Sequence, residues 1–102
     1  AEALGRTLVG ELRARLAGTE GVAEVRGLGL MIGIELARGP DAEPVAGAGA
    51  RAARFALEEG VLLLPAGEYG HVVELTPGVD LTGEQVALAV DVVACSVRRA
   101  LS

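Results

Sequence analysis

Between Leu28 and Leu36 every even position holds a large aliphatic residue, while the odd ones read Gly29, Met31, Gly33 and Glu35. Strict alternation over this length predicts a β-strand with one face committed to a core. The other face carries glycines two residues apart, which weakens a strand unless another backbone or a ligand must come close there. Arg26-Gly27, just upstream, reads as a turn or bulge feeding the strand. The run is expected to be the central strand of a sheet.

The spacing Gly27-x-Gly29-x-x-x-Gly33 invites comparison with a phosphate-binding loop. Such a loop needs a helix that begins at the glycines and offers its N-terminus to the phosphate. Here the alternation runs on through Gly33 to Leu36, so no helix start is expected and the glycines read as a tight strand pair.

Around this strand the rest of the chain falls into short elements. Leu4, Leu8, Leu12 and Leu16 predict a helix over residues 2–17, stopped by Gly18-Thr19-Glu20-Gly21. Residues 22–26 read as a short strand and 38–44 as a loop. A second helix is expected over 45–59, with Ala48, Ala52, Phe55 and Ala56 on one face and Gly60 as its stop. Gly47 and Gly49 each lower helix propensity by up to about 1 kcal/mol, so its first turn is expected to fray. Val61–Leu64 reads as an aliphatic strand, 65–70 as a turn and His71–Leu75 as another strand.

Thr82-x-x-Gln85 has the form of a capping box and opens the last helix. Val86, Val90, Val93, Val97 and Leu101 make one apolar stripe on that helix, and Leu88, Val92 and Cys95 make a second. A helix apolar on two sides calls for two covers. One layer supplies one of them, so the second stripe points to a partner.

Composition sharpens that point and narrows the function classes. Apolar residues form 51% of the 102, yet only Phe55 and Tyr69 are aromatic. Mean hydropathy is +0.45. That is more aliphatic surface than one small domain readily hides, so some is expected to meet another domain or a second copy of the chain. The net charge is −5 and all nine basic residues are arginines. An acidic chain without interleaved aromatics argues against nucleic acid. No run nears the roughly 18 apolar residues of a membrane span, and no signal-peptide pattern opens the chain. Cys95 alone forms no internal disulfide, which fits a reducing compartment, so the chain is expected to be cytoplasmic. In an apolar helix Cys95 reads as core packing, and the single His71 cannot make a metal site alone.

The segment Val25-Arg26-Gly27-Leu28-Gly29-Leu30-Met31-Ile32-Gly33-Ile34-Glu35-Leu36 resembles the opening of the C-terminal small domain of class III aminotransferases, of the ornithine, acetylornithine and 4-aminobutyrate type. The resemblance continues through Glu59–Gly67, His71–Pro77 and Leu81–Gln85 in the family's order. It implies an α+β fold: a small, mostly antiparallel sheet of about four strands with helices on one face. Residues 1–102 would be one such domain, with 1–17 a helix linking it to the rest of the enzyme.

The resemblance also implies function. The domain would form one wall of the active-site cleft of a pyridoxal-phosphate enzyme, with a large cofactor-binding domain and an amino donor as its partners. Such enzymes hold the cofactor as a Schiff base on a lysine. This chain has no lysine, so it is expected to bind no cofactor and to be inert alone. Arg26, Gly27, Leu28, Gly29 and Glu74 are the candidates for residues facing the substrate pocket. At the position of Glu74 the family usually carries an arginine that grips a substrate carboxylate. Glutamate there removes that clamp, or it is a solvent-side acid paired with a nearby arginine. The alternative to an enzyme domain is a stand-alone module that keeps the fold, lacks catalysis and pairs through the last helix.

Overall fold

The computed structural model describes residues 2–28, 31–76 and 82–102. The leucine stripe of the first helix, α1 (Glu2–Leu16), buries Leu8, Leu12 and Leu16 and half-buries Leu4. A hairpin follows, β1 (Val22–Leu28) against β2 (Met31–Arg38), antiparallel with Val25 opposite Ile34 and Leu28 opposite Met31. The alternating run is therefore not one strand. Leu28 ends β1, Met31 begins β2, and Gly29 and Leu30 lie outside the described residues. Arg26 and Gly27, expected in a turn, are paired inside β1 with Gly33 and Ile32.

The segment expected to be loop contributes β3 (Glu43–Pro44), which adds two residues to the end of β2. Helix α2 (Ala48–Glu58) starts three residues later than its composition predicts. Gly47 is its N-cap with φ 76°, a left-handed conformation that glycine adopts without steric cost. Far from fraying, this end is docked on the loop ahead of β5. Gly47 N donates to Tyr69 O at 3.0 Å and Gly49 N to Gly70 O at 2.8 Å.

The aliphatic run Val61–Leu64 is mostly not a strand, and the cause lies at the end of α2. Val61 N donates to Ala56 O and Gly60 N to Leu57 O, the paired bonds that close a helix around a left-handed glycine. Val61 is thus used by the cap. The strand β4 runs instead over Leu64–Ala66, where Pro65 is tolerated because the strand is at the sheet edge. Strand β5 (Val72–Leu75) lies between β4 and β2, giving the order β1-β2-β5-β4, with β3 beside β2 and every pair antiparallel.

The last helix, α3 (Gly83–Leu101), opens on the expected capping box. Thr82 Oγ1 accepts from Gln85 N at 3.2 Å, and Thr82 N donates to Gln85 Oε1 at 2.8 Å. Its far end is held by two arginines. Arg51 donates to Ala100 O from two nitrogens at 3.2 and 3.1 Å, and Arg38 donates to Leu101 O. Cations there also meet the negative end of the helix dipole.

Ile32, Ile34 and Leu36 of β2, Val25 of β1, and Val73 and Leu75 of β5 share a single core with all three helices. The result is the expected α+β arrangement with helices on one sheet face. Of the second stripe on α3, Val92 is buried inside this core, whereas Leu88 is 59% exposed and Cys95 is exposed rather than packed. The broad apolar surface of α3 is met largely from within, by α1 on one side and α2 on the other.

Candidate functional site

Helices cover one face of the sheet, so chemistry that meets a ligand or another domain has the other face available. Residues directly opposite on neighbouring strands share a face. The pairings Arg26–Gly33, Gly33–Glu74 and Glu74–Leu64 therefore set one row across all four main strands. A parallel row runs Glu24–Glu35–Val72–Ala66. Two of the residues singled out in the sequence, Arg26 and Glu74, stand in the same row with only Gly33 between them.

Gly33 explains how Arg26 lies. A β-carbon there would sit 3.8 Å from both Cγ and Nε of Arg26, so the arginine stem passes over the bare glycine backbone. Its guanidinium pairs with Glu24 at 3.1 Å and Glu35 at 3.4 Å. With side chains from 30% to 57% exposed, these pairs fix the direction of Arg26 more than they stabilise the fold.

Glu74 is half-buried, and its neighbours Val73 and Leu75 point into the core, as alternation along a strand requires. Pairing with an arginine was one reading of this residue. Among the described residues Glu74 forms no ion pair. The centre of the open face therefore holds a carboxylate that stands outside the ion pairs Arg26 makes with Glu24 and Glu35.

Gly27 lies on the opposite side from Arg26. A β-carbon on it would meet Val9 of α1 at 3.2 Å, so the glycine lets α1 approach the strand. It lines a groove of about 430 Å³ with Arg6, Val9, Arg13 and Ile32. Arg13 closes part of the β1 edge by donating to Val25 O at 2.9 Å. Leu28 stands at the end of β1, and Gly29 is outside the described residues.

Glu24, Gly33, Glu35, Leu64, Ala66 and Val72 complete the rows and were not among the pocket candidates read from the sequence. Their signal was the strand register, which needs the position of the hairpin turn. His71 sits beside the face with its ring 6.0 Å from that of Tyr69; its Nδ1 is buried with no hydrogen-bond partner among the described residues. No group of histidine, cysteine and acidic residues there is arranged to hold a metal. No helix among them is long and apolar enough to cross a membrane.

A family model described as Aminotransferase class-III matches residues 1–96. The 4-aminobutyrate aminotransferase of Mycobacterium tuberculosis is 35% identical over 72 residues, which is 71% of this chain and 16% of that protein. Among solved structures, adenosylmethionine-8-amino-7-oxononanoate aminotransferase from Methanocaldococcus jannaschii superposes with a TM-score of 0.77 at 29% identity, over 96% of this chain and 23% of that one. A transaminase from the marine bacterium Virgibacillus shares the fold with a TM-score of 0.86 at 22% identity, over 100% of this chain and 25% of that one. The chain thus spans about a sixth of the length of the curated relatives it matches. With the match running over nearly its whole length, the chain belongs to the class III aminotransferases.

Proposed function

We propose that residues 1–102 are the C-terminal small domain of a pyridoxal-phosphate-dependent aminotransferase, and that the open sheet face is one wall of its active-site cleft. In this reading α1 is where the domain joins a large, cofactor-binding domain, and the chain alone is inert. The observation that carries it is the pairing of a family match over residues 1–96 with a two-layer domain in which, among the described residues, no helix packs on the second sheet face. Arg26 and Glu74 lie on that face, Leu28 ends the strand that carries Arg26, and Gly27 supports the face from behind by admitting α1; Gly29 is retained as a pocket candidate from the sequence alone.

Pyridoxal phosphate supplies the electron sink of such enzymes and is held through a lysine amine. No lysine is present, so these residues do not fit the cofactor's covalent anchor. The reading assigns that anchor to the large domain. Mixing the chain with pyridoxal phosphate and reducing with borohydride should add no mass to any side chain. The α-amine of Ala1 is the one competing amine, and blocking it should abolish any label. In the whole enzyme the reduced adduct should map outside residues 1–102. A reduced adduct on a side chain of this domain would overturn the assignment.

A further inference from the structure

Among the described residues the paired rows of the open face carry three carboxylates, Glu24, Glu35 and Glu74, against one guanidinium, that of Arg26. That guanidinium is already engaged: Arg26 lies over Gly33 and is turned to Glu24 and Glu35, at 3.1 and 3.4 Å. Glu74 stands next in the same row with Leu64 on its far side. It is half-buried, so solvent screens it only in part.

From this arrangement we propose that the face selects amino donors or acceptors whose far end is cationic or a hydrogen-bond donor, and turns away those ending in a carboxylate. The inference rests on the cleft-wall reading above. An ammonium reaching Glu74 would form a charge-assisted hydrogen bond with a carboxylate that makes no ion pair among the described residues. A substrate carboxylate in the same place would face a like charge. To bind, it would have to draw Arg26 away from both of its partners. The methylene chain of either substrate would lie along Leu64. This runs against what resemblance to 4-aminobutyrate aminotransferases alone would lead one to expect, since 4-aminobutyrate ends in a carboxylate.

Three five-carbon donors separate the possibilities in the whole enzyme: 1,5-diaminopentane, 5-aminopentanoate and pentylamine. The unaltered enzyme should favour the diamine over the amino acid in kcat/KM by about tenfold or more. Glu74→Gln should remove most of that advantage, read as the ratio of kcat/KM for the diamine to that for the amino acid within the same protein, with pentylamine showing only that the variant still transfers. Glu74→Arg should reverse the ranking. If pentylamine is still turned over and the ranking of the charged donors is the same in all three proteins, Glu74 does not select and the inference fails while the cleft-wall reading stands. If no transfer occurs from these donors or from common amino acids, the aminotransferase reading fails and takes the inference with it.

Discussion

Gly49→Ala should destabilise the chain by about 3 kcal/mol, although alanine is the better helix former. A β-carbon on Gly49 would lie 2.5 Å from Val72 O and 2.8 Å from Gly70 O. Both obstacles are backbone, so neither can rotate away, and α2 would have to lift from the loop that leads into β5. Lifting it breaks the bonds from Gly47 N to Tyr69 O and from Gly49 N to Gly70 O. On an exposed helical site the same change would stabilise by up to about 1 kcal/mol, so the sign alone decides. Urea denaturation followed by circular dichroism measures it. The midpoint should fall, and a rise would mean that α2 does not rest on these carbonyls.

Ile34→Ala should cost about 3–4 kcal/mol, in the upper part of the range for deleting a buried aliphatic side chain. Ile34 is 1% exposed and lies between Val25 and Val73 at the middle of the sheet. Its cross-strand partners Val25 and Val73 are β-branched and held in the ladder, which limits how far the sheet side can close over the void. For a domain of about this size the loss corresponds to a melting temperature lower by about 12–30 °C. Glu35→Ala, one residue along on the open face, should cost only about 1 kcal/mol or less, because its 3.4 Å pair with Arg26 is long and partly screened by solvent. Equal losses at the two positions would contradict the assignment of faces.

The sequence was legible wherever the deciding interaction is local. The leucine stripe of α1 and the capping box at Thr82 and Gln85 need only neighbours within a turn or so. The inward direction of Val73 and Leu75, and hence the outward one of Glu74, follows from alternation once the strand is known. The hairpin turn was hidden for a specific reason. In β1 the core side carries Val25 and Gly27, and in β2 it carries Ile32 and Ile34, so parity reverses between the strands. The aliphatic residues nevertheless continue on even numbers from Leu28 to Leu36. A pattern that crosses a reversal unbroken cannot show where the reversal is.

The same limit governed the site. Glu74 stood out because of what it replaces in the resemblance. Its relation to Arg26 and Gly33 depends on pairing between strands some 40 residues apart, which periodicity does not report. Gly49 was misread for a related reason. Its low helix propensity is a local property, but the need for a bare backbone there comes from Gly70 and Val72, distant in sequence.

Whether the open sheet face is a cleft wall can be measured by placing a single reactive thiol on it. In the whole enzyme with Cys95 replaced by serine, Glu74→Cys puts the thiol in the central row, and Leu88→Cys puts one on the exposed side of α3 as the reference. Maleimide labelling, resolved by peptide mass, is followed with and without a saturating uncharged amine donor and its cofactor. The account predicts that the donor slows labelling at position 74 and leaves position 88 unchanged. Equal labelling at position 74 with and without donor would contradict it.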